Sequence, residues 1–505
     1  MTVSHERAKR THFDEHRLEE GIGRRSIRGG AALMISRAVT AVIQVGSILM
    51  LARMLSPEDY GLVAMVTAFT GFAPVLVDLG TRDAVTQRTR ISRGELSALF
   101  WLTFGIGAAM AVAVAAAGPV IAAFYDEPRL TTIARVLALS FVALGLTAQH
   151  QALLRRAFMF WQMAVLDITA NVVSATVAIV MAYQGYGYWA LVVRPVVMYA
   201  CAAVGTWWFC WWLPGKPALG AGVGKMVRFG MNLTGFSLTD FVRRNADRVV
   251  VGRALGPAAL GYYQNCFLIY ENLLEILVFC LHQVAVTGLS KLQHELGELR
   301  RAWAKALSTV AFYAMPAFGI LAIIATDLIV LLLGERWETS GTLLGVLALG
   351  GIPHSAEMTL GWLHVVAART DRWLRWGVAA TCVRLIALAC GLPFGVLGIV
   401  CANVASAYVL AVPALVYAGR PLGIGVGDVL RAIRAQVVGA LVAAGVGFAL
   451  RPLLLFGMTP LERMGVLIGV YVAVYLVVVI GLFRLTAPID VARSLLGGRT
   501  AFVKG

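Results

Sequence analysis

Charged side chains are scarce in this 505-residue sequence: they make up 14% of it, while hydrophobic residues make up 59%. Soluble domains carry roughly 25% charged residues, so the composition excludes a soluble enzyme or binding domain. Acidic residues are the scarcer charged class, with 27 against 43 lysines and arginines and a formal net charge of +16. No polar stretch is long enough to form a basic soluble domain, which excludes a nucleic-acid partner. The sequence predicts a polytopic membrane protein.

Motifs for covalent chemistry are also missing. The seven cysteines all lie in apolar segments without C-x-x-C spacing, which is typical of small buried hydrophobes and not of disulfides or metal ligands. The run Gly220–Met226 is one residue short of a phosphate-binding loop and lacks the Ser or Thr after Lys225. Because no catalytic constellation is present, we expect neither an enzyme nor a bound metal or cofactor.

Long apolar segments dominate what remains. About fourteen segments are long enough to cross a membrane as helices. They cover residues 30–51, 60–80, 97–124, 130–149, 162–182, 186–213, 228–252, 260–289, 304–333, 341–367, 374–393, 395–418, 433–455 and 464–483. The fold class predicted is therefore an all-α polytopic membrane protein with about 14 transmembrane helices.

Basic residues alternate between the connections. Thirty lysines and arginines fall in the two tails and the even-numbered connections, against six on the opposite side. Since positive charge marks the cytoplasmic face, both termini are predicted to be cytoplasmic in a multi-pass protein of the bacterial inner membrane. Four tryptophans, Trp207, Trp208, Trp211 and Trp212, indicate the interface of the sixth helix with the headgroups.

An internal repeat indicates that the chain is duplicated. Residues 51–61 align with residues 251–261 at an offset of 200, with Arg, Leu, Pro and the final Gly in register. Paired halves are usual in secondary transporters, so we predict two pseudo-symmetric six-helix lobes plus two additional C-terminal helices. The predicted order is a cytoplasmic tail (1–28), the N-terminal lobe (29–213), a linker (214–227), the C-terminal lobe (228–418), two additional helices (419–484) and a cytoplasmic tail (485–505).

The seventh predicted helix carries an unusual set of charges. Asp240, Arg244, Asp247 and Arg248 follow the spacing i, i+4, i+7, i+8 and share one stripe with Arg243 and Asn245 beside it. Charges at mid-bilayer are costly, so this stripe must face protein or a wet cavity. Arginine stays charged and its planar fork matches phosphate oxygens, which makes the stripe a candidate phosphate-binding wall. A self-neutralised structural network remains the alternative.

Other intramembrane polar groups extend this hypothesis. Arg37 and Gln44 on the first helix are candidate cavity residues, although Arg37 can equally snorkel to the inner headgroups. Carboxylates in membrane helices suggest coupling to H⁺ or Na⁺, or counter-charges for the arginines. These carboxylates are Asp78, Asp167, Glu271 and Glu275.

Three runs carry a family resemblance: Asn245 to Gly256 together with the repeat, His282 to Gln293, and Asp78 to Ala84. With these residues the chain resembles a polysaccharide-biosynthesis (Wzx-type) flippase of the multidrug/oligosaccharidyl-lipid/polysaccharide exporter superfamily, over about residues 25–420. The resemblance implies two lobes that rock around a central cationic cavity. The implied cargo is an undecaprenyl-diphosphate-linked oligosaccharide, destined for exopolysaccharide, capsule or the O-antigen of lipopolysaccharide. Polysaccharide polymerase and export machinery are implied partners.

By the same resemblance, Arg37, Arg243, Arg244 and Arg248 match the cavity arginines that would hold the pyrophosphate. About fourteen helices, where many sugar flippases have twelve, keep lipid II as an alternative cargo. A multidrug cation antiporter is a second alternative, but its cavity should be acidic or aromatic, and here arginine is in excess. A membrane glycosyltransferase, polymerase or ligase would need a large outer loop or an acidic catalytic pair, and the outer connections are only a few residues long.

Overall fold

The computed structural model describes residues 22–87, 91–217, 221–292, 295–366, 370–454 and 457–485. Over these ranges the chain is helical and contains no strand, which confirms the all-α class. The helices are α1 (Ile22–Met54), α2 (Pro57–Thr70), α3 (Ala73–Asp78), α4 (Thr81–Gln87), α5 (Arg93–Tyr125), α6 (Arg129–Arg156), α7 (Phe160–Tyr183), α8 (Trp189–Cys210), α9 (Ala221–Lys291), α10 (Leu296–Leu333), α11 (Glu338–Leu349), α12 (Gly351–Val366), α13 (Thr370–Gly391), α14 (Gly395–Gly419), α15 (Val426–Leu454) and α16 (Pro460–Leu476).

Many of these helices can cross a bilayer. Among the described residues, ten are long and apolar enough, or up to eleven if the bent pair Glu335–Leu349 and Gly351–His364 is one span. One of the ten, Asp371–Leu422, covers 52 residues and runs through α13 from its second residue and through all of α14. The segment α9 has 71 residues and consists of two helices joined at a kink, so it is too long to be a single span of a hydrocarbon core of about 30 Å. The chain is a multi-pass membrane protein, and the count of fourteen helices stays a prediction.

A kink at Gly256 interrupts α9, where the sequence predicts two helices, 228–252 and 260–289. The φ of Gly256 is 81°, a backbone conformation that glycine adopts without strain, and Pro257 follows without a backbone donor. The equivalent position in the first copy of the repeat is Ser56, between α1 and α2. Ser56 caps α2: its hydroxyl accepts from the Asp59 backbone N–H at 3.2 Å, and its own N–H donates to the Asp59 carboxylate at 2.8 Å. Both copies therefore break the helix at the same place by different means.

The chain divides into two compact units, residues 1–261 and 262–505. In the first unit, the buried ring of His150 stacks on Trp207 with ring centroids 4.5 Å apart. Trp212 is also buried, whereas Trp208 and Trp211 are exposed. The predicted aromatic cluster is thus half core and half exposed surface. The predicted lobe boundaries stay predictions.

Arg129 forms ion pairs that join the start of α2 to the connection between α5 and α6. Its guanidinium donates to the Glu58 carboxylate at the start of α2 and to the Glu127 carboxylate between α5 and α6, each at 2.7 Å. The hydrogen bond from Arg129 holds the pKa of Glu127 below its ordinary value. The stabilisation from this pair is therefore present above the ordinary carboxyl pKa and is lost as the pH falls.

In the second unit, helices α15 and α16 are fastened to α10 by buried polar groups. Arg463 of α16 donates two hydrogen bonds to Asp327 of α10, one of them from Nε at 3.1 Å, and Arg451 of α15 lies 3.9 Å from the same carboxylate. Asp327 and Arg463 are only 7% and 8% exposed. The Tyr475 hydroxyl donates to the Phe312 carbonyl of α10 at 3.1 Å. The two additional C-terminal helices therefore pack as core elements of this unit.

We predict that Asp327→Asn lowers the stability by about 3–5 kcal/mol, because it leaves two guanidiniums without their shared carboxylate in a buried site. The measurement is the thermal unfolding midpoint of the purified protein, followed by tryptophan fluorescence. Glu298→Gln is the matched control, since it removes the carboxylate of an exposed pair with Arg301 and should change the stability by no more than about 1 kcal/mol. Equal shifts for both variants would contradict the anchoring role of Asp327.

Candidate functional site

A polar stripe runs along α1. Its members are Ser36, Arg37, Thr40, Gln44 and Ser47. At about 100° per residue these positions fall within an arc of about 100° on the helix surface. Ser36 and Ser47 are buried, whereas Arg37 and Gln44 are exposed at the edge of the packed face. The stripe gives one side of an otherwise apolar spanning helix a continuous hydrogen-bonding surface.

Helix α7 runs beside this stripe in matching register. The Ser36 hydroxyl donates to the Ala164 carbonyl at 3.4 Å, and the Gln44 amide donates to the Asn171 side chain at 3.4 Å. The sequence separations are 128 and 127 residues, so the two helices run parallel, with an offset that changes by one residue over two turns. Asn171 also donates to the backbone carbonyl of Asp167 at 2.9 Å. Pairing along the parallel helices continues the polar surface from α1 onto α7.

Helix α8 contributes Arg194 to the same surface. Its guanidinium donates to the Ser47 hydroxyl at 2.8 Å, and that hydroxyl donates in turn to the Gln44 carbonyl at 2.9 Å. Arg194 is partly buried and interacts electrostatically with Tyr60 of α2. No described carboxylate lies within 4 Å of the Arg194 guanidinium. Arg194 is thus held within a spanning helix by a neutral hydroxyl.

The opposite end of this surface carries more charge. The Asp167 carboxylate of α7 interacts electrostatically with Arg82 of α4, Arg155 of α6 and Arg37 of α1. Arg82 also lies 3.5 Å from the Asp78 carboxylate. We name the whole array the polar ladder: Arg37, Gln44, Ser47, Asp78, Arg82, Arg155, Asp167, Asn171 and Arg194. Its four arginines and two aspartates leave a net positive charge inside the first unit.

The predicted charge stripe of α9 is described only in part. Asn245 is buried; its amide donates to the Phe241 carbonyl at 2.8 Å and its oxygen accepts from the Arg248 guanidinium at 2.9 Å. The Asp247 carboxylate accepts the backbone N–H of Arg248 at 2.9 Å. The side chains of Asp240, Arg243 and Arg244 lie outside the described residues, and the phosphate-binding wall proposed for this helix stays a prediction.

In the second unit, one carboxylate in a spanning helix is held by an arginine of the following helix. Arg384 of α13 donates to both carboxylate oxygens of Glu357 of α12, at 2.9 and 3.2 Å. The Tyr270 hydroxyl lies 3.1 Å from Nδ1 of His354. Glu271 is partly buried and Glu275 is exposed. Whether either carboxylate serves as coupling group or counter-charge stays a prediction.

The sequence predicts some residues of this site and misses others. Arg37 and Gln44 are predicted as cavity residues and Asp78 and Asp167 as coupling groups or counter-charges, and the structure places all four in the polar ladder. Arg194 looks like a lone polar group in sequence. Its partner Ser47 is 147 residues away, and only the packing of α1 against α8 reveals the contact. The available signal was an arginine inside an apolar segment with no acidic residue within one turn.

The same arrangement of helices occurs in solved structures of other membrane proteins. The fold is similar to that of a solved structure described as lipid II flippase MurJ in an inward closed conformation, with a TM-score of 0.67 and 14% identity over 91% of this chain and 99% of that one. It is also similar to an inward-facing multidrug resistance MATE family transporter of the MOP superfamily, with a TM-score of 0.59 and 12% identity over 77% of this chain and 98% of that one. The fold is that of these transporters.

Residues 50–341 match the family described as polysaccharide biosynthesis protein, and the chain belongs to that family. The lipopolysaccharide biosynthesis protein WzxC of Escherichia coli is 26% identical over 70% of this chain and 73% of its own length. The teichuronic acid biosynthesis protein TuaB of Bacillus subtilis is 24% identical over 70% of this chain and 74% of its own length. The resemblance to polysaccharide-biosynthesis proteins, a Wzx-type protein among them, is thereby confirmed.

We predict that Glu357→Gln destabilises the protein by about 1–3 kcal/mol, because it leaves the partly buried Arg384 guanidinium unpaired. Adding Arg384→Gln should restore most of that loss, since neither group is then an uncompensated charge. A double-mutant cycle of unfolding midpoints measures the coupling. Additive losses from the two single variants would show that the pair is not a structural unit.

Proposed function

We propose that the protein is a flippase that moves an undecaprenyl-diphosphate-linked oligosaccharide across the inner membrane for the assembly of exopolysaccharide, capsule or lipopolysaccharide. It performs no covalent chemistry. Family membership and the transporter fold support a lipid-linked glycan as cargo. The direction of transport is from the cytoplasmic to the periplasmic leaflet, and both termini of the protein lie in the cytoplasm. A polysaccharide polymerase downstream is the partner that would consume the product.

The observation that carries this proposal is the polar ladder. Arg37 and Ser47 are ten residues apart on α1, which corresponds to about 15 Å, or half of the hydrocarbon core. An arginine lies at each end, since Arg194 is bonded to Ser47. A pyrophosphate that leaves the guanidinium of Arg37 can therefore engage that of Arg194 before it is fully exposed on the other side. Neutral amide and hydroxyl groups between them suit the sugar, while the polyprenyl tail stays in lipid.

The alternative cargoes differ in charge and headgroup. A multidrug antiporter that carries organic cations is disfavoured, because the net positive charge of the polar ladder repels them. Lipid II carries the same pyrophosphate, so the ladder alone does not distinguish it from other lipid-linked glycans. The names of the relatives, which refer to lipopolysaccharide and teichuronic acid biosynthesis, favour a polysaccharide precursor.

A driving ion belongs to this proposal as well. Asp167 is exposed and has no ion pair within 4 Å among the described residues, whereas Glu357 is bound by Arg384. Asp167 is therefore the carboxylate in the ladder best placed to exchange H⁺ or Na⁺ while an anionic cargo occupies the neighbouring arginines. Protonation of Asp167 and binding of the pyrophosphate to the neighbouring arginines would then influence each other. This would couple the movement of the ion to the movement of the cargo.

The test is binding of undecaprenyl diphosphate to the purified protein in lipid nanodiscs. We expect Arg37→Gln with Arg194→Gln to weaken binding at least about tenfold, since each guanidinium contributes charge-assisted hydrogen bonds of about 1.5–3 kcal/mol. Arg194→Lys should keep part of the affinity, because the charge remains and the fork is lost. In cells the double variant should lose polysaccharide export at unchanged protein level.

Arg301→Gln is the matched control, because it removes an exposed guanidinium at the start of α10, 75% accessible and outside the ladder. Undecaprenol, which has no phosphate, should bind all variants alike. Undiminished diphosphate binding by the folded double variant would overturn the proposal. Equal loss of undecaprenol binding would reassign the arginines to the architecture of the site.

A further inference from the structure

The two copies of the repeated motif touch each other in the first unit. A Cβ atom built on Gly61 would lie 1.7 Å from the carbonyl oxygen of Pro257, and one built on Gly261 would lie 1.8 Å from the carbonyl oxygen of Pro57. The contact is reciprocal: the glycine of each copy meets the proline of the other. We name the surface formed by Pro57, Gly61, Pro257 and Gly261 the glycine seam.

Only glycine is compatible with this approach. Real carbon–oxygen contacts of this kind lie at about 3.3–3.6 Å, so an alanine at either position would push the two backbones apart by roughly 1.6 Å. Gly61 and Gly261 are both buried, which leaves no room for the neighbours to move sideways. Small residues permit the same close backbone packing between membrane helices generally.

Each side of the glycine seam follows a break in its helix. In the first copy the break lies at Ser56, between α1 and α2; in the second it lies at Gly256, whose φ is 81°. A break next to a contact allows the segment beyond it to swing without unwinding the whole helix. The equal placement of both breaks gives the two copies the same freedom.

Opening the glycine seam also costs little free energy. The second copy, Pro257–Gly261, has no ionisable side chain, and the acidic residues of the first are engaged elsewhere: Glu58 with Arg129 and Asp59 with Ser56. The contact at the glycine seam is therefore backbone packing, and separating the two copies breaks no ion pair. Beside the seam, the rings of Phe72 and Phe241 make an edge-to-face contact with their centroids 5.9 Å apart. Such a contact can shift at a low cost in free energy.

We propose that the glycine seam is a latch that closes the transport path at the end of α1 opposite the N-terminus and parts when that side opens. The inference rests on the proposed function for the need to open, and it goes beyond it by naming the surface that moves. The duplication supplies the reason for its symmetry. Two equivalent segments that meet across a pseudo-twofold contact can separate together.

The test is the accessibility of one cysteine below the seam. Met65 is 1% exposed and lies 3.4 Å from a Cβ built on Gly252, so Met65→Cys in a protein without its native cysteines reports on the α2–α9 contact. A membrane-impermeant maleimide is added outside to spheroplasts or, separately, to inverted vesicles. Gly61→Ala and Gly261→Ala should each raise labelling from outside roughly tenfold, because the closed state cannot form. Labelling from the cytoplasmic side should not rise.

Gly105→Ala is the matched control, since a Cβ there meets nothing within 4 Å, and it should leave both labelling rates unchanged. The variant with both seam glycines replaced should behave like either single variant, because either substitution alone already separates the two backbones. Folded seam variants with unchanged labelling, or labelling that rises equally from both sides as in local unfolding, would overturn the latch. The readout uses no glycan, so a wrong cargo would leave this result intact.

Discussion

The cost of a charged side chain inside a membrane governs this protein. Several kcal/mol are lost when a guanidinium or carboxylate leaves water without a partner, so each such group in a spanning helix must be paired or placed next to a hydrated path. In the second unit two described carboxylates are paired between helices: Asp327 accepts from Arg463 and lies near Arg451, and both oxygens of Glu357 accept from one guanidinium nitrogen of Arg384. These ion pairs hold helices together: Glu357 and Arg384 neutralise each other, and the Asp327 carboxylate lies between two arginines.

The first unit treats its charges differently. Arg194 is held by a serine hydroxyl instead of a carboxylate, and Asp167 interacts with three arginines at a distance without a close ion pair. The net charge is positive, and the groups lie in register along α1, α7 and α8. An array that is oriented but not neutralised is suited to a mobile anion. That contrast between the two units separates the groups that stabilise the fold from those proposed to bind cargo.

Duplication places the same sequence element twice in the first unit. The repeat keeps a proline and a glycine four residues apart in each copy, and the structure uses this spacing for a backbone contact between the copies. The way in which the helix breaks is not kept: a capped gap at Ser56 in one copy, a positive φ at Gly256 in the other. Geometry at the contact was retained while the local chemistry of the break changed.

Composition and periodicity by themselves determined that this is an all-α membrane protein built on a duplication. A long apolar segment has a stable structure in lipid only as a helix, because every backbone polar group must be satisfied within the segment. The same reasoning identified Arg37, Gln44 and Asp167 as costly and therefore informative positions. These conclusions depend on the free energy of a single side chain or segment in lipid, and that free energy can be inferred from the local sequence.

Tertiary structure alone decided which of those groups meet. The partners of Arg194 and Gln44 are 147 and 127 residues away, and the glycine seam joins positions about 200 residues apart. Such contacts depend on the register and crossing of separate helices. Those are determined by packing over whole surfaces, and no local pattern of residues records them.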